Sequence, residues 1–157
     1  MINKYNQSDG HGPIGHEISK LLKERLPVFL NSEIDKRYVQ NGSTALKKIV
    51  EETFLEMNDE IFLEMTIDCE FRYINNHPSG STCCSLIYTP EKLICANVGD
   101  SRCIIGRQVN DEWKFHSMSR DHKPNDKDES ERILSKNGRI EPYQGLLLFT
   151  KTLMVSS

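Results

Sequence analysis

The 157-residue chain has no apolar stretch of the roughly 20 residues that a membrane-spanning helix needs, and its first 15 residues are too polar for a signal peptide. The expectation is a soluble intracellular protein, cytoplasmic by default, with no membrane partner. Long runs of either charge are also missing. Twenty Lys and Arg against 23 Asp and Glu leave a net charge of -3 spread along the chain, so there is no electrostatic footprint for nucleic acid. The five cysteines, Cys69, Cys83, Cys84, Cys95 and Cys103, include no CxxC pair, and no histidine stands at zinc-ligand spacing, which argues against a structural zinc site. Four of them, Cys83, Cys84, Cys95 and Cys103, fall in strand-like runs, where a reduced thiol acts as a small apolar group. Repeats and low-complexity tracts are absent. No loop has the acidic density of an EF-hand, which disfavours an independent calcium-binding turn protein.

What is present reads as one domain's worth of chain, within the usual range of about 100–200 residues. Residues 1–8 are polar, with neither alternation nor helical period, and are expected to be an irregular lead-in. After a glycine turn, Pro13 can open a helix whose Ile14, Ile18, Leu21, Leu22, Arg25 and Leu26 keep helical period until Pro27 closes or weakens it. Asn41-Gly42-Ser43 is a turn that can supply Ser43 or Thr44 as an N-cap. The following Leu46, Ile49, Val50, Phe54, Met57, Ile61 and Phe62 hold one face of a long second helix. Its other face, with Lys47, Lys48, Glu51, Glu52, Glu56 and Asp59, reads as solvated. A polar connection over 68–79 leads into four short alternating or apolar runs, 82–89, 92–98, 103–109 and 112–117. Their spacing predicts four consecutive strands in an antiparallel meander. A polar loop, Arg120 to Pro124, then precedes a helix over 129–136 that Asn137-Gly138 ends.

Two acidic turns carry the functional signal: Asp9-Gly10-His11-Gly12 and Asn97-Val98-Gly99-Asp100-Ser101-Arg102. A carboxylate beside glycine lets a cation reach both the side chain and the neighbouring backbone carbonyl, because no Cβ blocks the approach. Asp100 also follows the apolar run 93–98, at a strand end where sites commonly sit. Either dipeptide alone is an ordinary tight turn. His16 lies five residues after His11, so the two do not share a helical face in the manner of a metal-binding pair.

In order along the chain stand Asp9-Gly10-His11-Gly12, Ser79-Gly80-Ser81-Thr82, Ala96 to Arg102, Asp121-His122-Lys123-Pro124 and Arg132-Ile133. This set resembles the metal-dependent (PPM, type 2C) protein serine/threonine phosphatases over residues 9–145. The resemblance implies an α+β fold: a partial α-β-β-α sandwich, antiparallel sheets flanked by helices, truncated at both ends. It implies two Mg2+ or Mn2+ ions, with Asp9 bridging them and the Gly10 carbonyl binding one. Asp100 matches the position of a third, weaker metal, and His11 is the candidate general acid that protonates the leaving serine or threonine oxygen. The alternative for His11 is an exposed turn histidine. Asn97, Ser101 and Arg102 are read as supports of turn and sheet, Ser81 and Thr82 as packing residues that make backbone hydrogen bonds, and the Asp121–Pro124 loop as structural. The substrate class implied is phosphoprotein, hydrolysed by a metal-bound hydroxide in the complete parent.

The chain departs from the family pattern at both ends. Only eight polar residues precede Asp9, where the family carries a strand, a phosphate-gripping arginine and further acidic ligands. After Gly145 the expected second Asp-Gly metal turn gives way to a divergent apolar tail, 146–157, beginning Leu146-Leu147-Leu148-Phe149. A gene-model fragment, an alternative product or a pseudogene-derived piece is therefore expected. With one carboxylate and one glycine carbonyl of the binuclear site, against six or more donors for a hard dication, the isolated chain is expected to have little or no activity. The competing reading is a non-catalytic regulatory or scaffold form that binds phosphatase partners or phosphoproteins.

Overall fold

The computed structural model describes residues 3–41, 45–67, 79–143 and 146–151. They form two compact units, 1–120 and 121–157. Within the first, β1 (Asn3–Gln7), β2 (Gly10–His11), α1 (Gly15–Asn41), α2 (Leu46–Ile67), β3 (Gly80–Ser81), β4 (Cys83–Tyr88), β5 (Leu93–Val98), β6 (Ile104–Val109) and β7 (Glu112–Ser117) follow in order. The second holds α3 (Lys127–Ser135), β8 (Gly138–Tyr143) and β9 (Leu146–Lys151). All strand pairs are antiparallel, so the α+β class with antiparallel sheets is borne out. No helix among the described residues is long and apolar enough to cross a membrane.

The core of the first unit lies between the two long helices and the sheet β1-β4-β5. Leu26, Leu30 and Ile34 of α1 meet Leu46, Ile49, Val50 and Met57 of α2, and Cys83 and Ile87 of β4 join the same cluster. Arg25 pairs with Glu64 and Arg37 with Glu52, early with late positions, so the helices run antiparallel. Pro27 lies inside α1 instead of closing it. A mid-helix proline costs about 3 kcal/mol. Leu26, Leu30 and Ile34, all buried on one face across it, each contribute about 1.5–3 kcal/mol. Burial on both sides of the proline outweighs the lost hydrogen bond. In α2 the expected face is buried as far as Met57, with Ile61 packed on the cluster, whereas Phe62 is exposed.

The lead-in is not irregular. Asn3–Gln7 is a strand paired with Cys84–Tyr88 of β4. Its alternation was invisible because the side chains are polar on both faces. Lys4 hydrogen-bonds Asn31 of α1, and burial pushes the Lys4 ammonium below its ordinary pKa. Main-chain bonds to β4, which apolar patterning does not report, make this strand.

The meander also needs correction. β4 and β5 form the expected hairpin, whose turn Thr89 organises by accepting the Lys92 and Glu91 N–H groups on its hydroxyl. After Val98, however, Gly99 takes φ +95 and the chain leaves the sheet. Among the described residues β6 and β7 pair only with each other. Asn110 and Asp111, with φ 52 and 61, make the tight two-residue turn between them, as their residue types predict.

In the second unit Ile133 is buried, and the Arg132 guanidinium holds the Glu129 carboxyl below the usual carboxylate range. Asn137, φ 58, ends the turn after α3. The apolar tail has a structured part: Leu146–Lys151 is β9, paired with Gly138–Tyr143. The Ser43/Thr44 N-cap, the 68–78 connection, Cys69, Gln144-Gly145 and residues 152–157 lie outside the described residues.

Candidate functional site

Asp9 sits between β1 and β2, and its backbone is tied down on both sides. Its N–H donates to Thr82 Oγ1 at 3.0 Å, while its carbonyl accepts the Thr82 N–H at 2.9 Å and the Ser81 hydroxyl at 3.2 Å. None of these bonds uses the carboxylate, and the residue is exposed. The main chain is thus fixed while the side-chain oxygens face solvent.

Gly10 pairs with Ser81, and His11 with Gly80. A Cβ on Gly10 would lie 2.0 Å from the Gly15 carbonyl oxygen, so only glycine lets this strand rest on the first residue of α1. Gly12, φ +79, bends the chain into the helix, and Gly15 N–H closes that turn on the Gly12 carbonyl at 3.2 Å. The Ser79 hydroxyl accepts the Ile14 N–H at 3.3 Å. His11 is exposed, and its ring lies over Gly80, where a Cβ would come within 2.8 Å of Nε2.

Thr82 also joins the second acidic turn to the first. Its hydroxyl shares a 2.7 Å hydrogen bond with Ser101 Oγ, and its methyl fills the place a Gly99 side chain would take, 2.8 Å from the ideal Cβ. Asn97 braces this turn by donating through Nδ2 to the Gly99 and Arg120 carbonyls, both at 3.1 Å. Asp100 at the turn is exposed. One buried threonine therefore brings the Asp9 and Gly99–Ser101 segments together, a role beyond the packing and backbone hydrogen bonds that its sequence context predicts. A β-branched hydroxyl next to Gly-Ser, immediately before an apolar strand, was the available signal.

Thr82→Val keeps the shape but leaves the Asp9 N–H and the Ser101 hydroxyl without this partner. The expected loss is about 1–3 kcal/mol of unfolding free energy, read as a lower denaturant midpoint, with Thr82→Ser retaining most of it.

Among the described residues no three carboxylate, imidazole or thiol side chains converge as a metal site. The Asp9 carboxylate and the Gly10 carbonyl offer at most three oxygens, short of the six or more that hold Mg2+ or Mn2+. By themselves the residues present do not fit a binuclear centre.

The order of the braced turns agrees with the comparison to known families. The model of protein phosphatase 2C matches residues 3–156. This chain belongs to the protein phosphatase 2C family. Probable protein phosphatase 2C 65 of Arabidopsis thaliana is 30% identical over 145 residues, covering 84% of this chain and 36% of the relative. Protein phosphatase 2C 3 of the same plant is 32% identical over 143 residues, covering 87% and 30%. The chain thus spans about a third of the length of these curated relatives. Two solved structures share the fold. One, described as a C. elegans sex determining protein, has a TM-score of 0.72 at 21% identity over 94% of this chain and 33% of its own. Serine-threonine phosphatase 2C from Toxoplasma gondii gives 0.64 at 17%, covering 90% and 47%.

Proposed function

We propose that this chain corresponds to the part of a metal-dependent protein serine/threonine phosphatase that presents Asp9 and Gly10 to the metal ions. The substrate class is phosphoserine and phosphothreonine in proteins. The observation that supports the reading is the Thr82 contact, which holds the Asp9 backbone and the Gly99–Ser101 turn while leaving the carboxylates of Asp9 and Asp100 exposed. In a complete phosphatase Mg2+ or Mn2+ supplies the activation of water. The role of this chain is narrower: Asp9 offers its carboxylate from an immobilised backbone, and Gly10 its carbonyl. Asp100 is the auxiliary oxygen donor of this reading, and His11, exposed beside Gly80, is its general acid for the leaving hydroxyl oxygen.

Because the donor set is incomplete, the purified chain with Mn2+ and a phosphoserine peptide is expected to release phosphate at the background rate. Grafted in place of the matching segment of an active relative such as protein phosphatase 2C 3, it is expected to support Mn2+-dependent hydrolysis of phosphoserine and phosphothreonine peptides. A folded chimaera without turnover would sink the reading and favour the non-catalytic alternative. Turnover by the isolated chain that is lost on Asp9→Ala would instead show that its own donors suffice.

A further inference from the structure

Alternation along β4 and β5 sends Cys83, Ile87, Ile94 and Ala96 toward the helices and leaves Cys84 and Cys95 on the opposite face of the sheet. In register Cys84 faces Asn97 and Cys95 faces Leu86, so the two cysteines are diagonal neighbours on adjacent strands. Their Sγ atoms lie 3.9 Å apart. Cys103, just ahead of β6, interacts with both thiols, and its N–H donates to Ser119 Oγ at 2.8 Å. This cluster plays no part in the phosphatase reading and does not depend on it.

We propose that Cys84 and Cys95 form an oxidation site that closes to an intramolecular disulfide under a peroxide. The Sγ atoms must approach by about 1.9 Å to reach the usual S–S length of ~2.05 Å, which for diagonal neighbours takes a small drawing together of the two strands as well as side-chain rotation. No group of three metal-binding side chains converges among the described residues, so a thiolate metal site has no comparable support.

The chemistry balances with hydrogen peroxide. The Cys95 thiolate, its proton released, attacks one peroxide oxygen, the O–O bond breaks, and the leaving hydroxide takes up that proton, so that a sulfenic acid and one water form. The Cys84 thiol then attacks the sulfenic sulfur, the S–O bond breaks, the S–S bond forms, and a second water leaves. The two thiols give up two electrons and two protons, and the peroxide takes both. Cys95 is the entry point because it is half-buried while Cys84 is 8% exposed. Burial, together with the Cys84 and Cys103 thiols, pushes Cys95 up to about 12, so thiolate is scarce at neutral pH and the reaction is slow there. Cys84 follows Thr82 by two positions and Cys95 precedes Gly99 by four. The bond therefore staples together the two strands that carry the contact between the acidic turns.

The test uses the full reduced chain, treated with hydrogen peroxide at about pH 8.5, where more thiolate is present, then blocked with N-ethylmaleimide and cut with trypsin. Cleavage at Lys and Arg puts Cys83 and Cys84 in peptide 73–92, Cys95 in 93–102 and Cys103 in 103–107. The expected product has lost about 2 Da and links 73–92 to 93–102, with fragmentation assigning the bond to Cys84 and the maleimide on Cys83 and Cys103. Cys83→Ser keeps the bond. The same treatment in guanidinium spreads the linkage over other pairs, which ties the native result to the fold. A bond from Cys95 to Cys103 or Cys83 overturns the proposal. So does Cys95 recovered with maleimide after the other thiols have reacted, and so does a denatured chain giving the same single pair.

Discussion

Ile87→Ala is expected to lower the unfolding free energy by about 2–5 kcal/mol, enough to remove a large part of the stability of a domain this size. Ile87 is fully buried on β4, the central strand of its sheet, with Lys4 of β1 and Ile94 of β5 as its register partners, and it packs in the helix–sheet cluster with Leu30 and Ile49. Removing three carbons there leaves a space that neither the rigid strands nor the helices can close. The loss is lost transfer free energy plus the cavity. Leu55 of α2, 67% exposed, is the control: Leu55→Ala is expected to change stability by no more than ~0.5 kcal/mol. Urea midpoints of the two variants check both statements. Equal effects would mean that the cluster around Ile87 does not hold the unit together.

Asp9→Ala in the phosphatase chimaera is expected to cut turnover on the order of 100-fold or more, the scale on which a preorganised charged group is missed. Its fold should survive. The Asp9 N–H and carbonyl make every hydrogen bond found for this residue, to Thr82 and Ser81, and the substitution keeps both groups. The circular dichroism spectrum and denaturant midpoint should therefore match the parent while activity falls. Asp9→Asn, which keeps an oxygen but loses the charge, should lie between. A large loss of stability in Asp9→Ala would transfer the effect from chemistry to folding and remove Asp9 from the proposed metal-binding role.

The legible parts of this chain are those where burial repeats with a period. Leu46, Ile49, Val50 and Met57 announce α2, and the runs around Ile87 and Ile94 announce a hairpin, because one face of each element must leave water. Turn chemistry was equally readable at Asn110-Asp111, where two residues tolerant of positive φ sit between strands. β1 was not readable, since Asn3 to Gln7 hold their place by backbone bonds to β4, and polar side chains leave no period. Pro27 misled in the other direction: a local helix breaker lost to the leucines and isoleucine packed on both sides of it. The acidic turns were found as motifs, but their relation was not, because Asp9, Thr82 and Ser101 are distant in sequence and meet through two hydrogen bonds.

Motif order was enough to indicate the phosphatase family, because that inference rests on residue type and order alone. Which strands pair, where the meander breaks at Gly99, and how Thr82 braces both acidic turns were decided in three dimensions. Hydrogen bonds between distant residues and the close approach of Gly10 to Gly15 depend on positions that no local pattern encodes. For the same reason the neighbouring thiols of Cys84 and Cys95 look in the sequence like ordinary small core residues, and only the pairing of β4 with β5 sets them 3.9 Å apart.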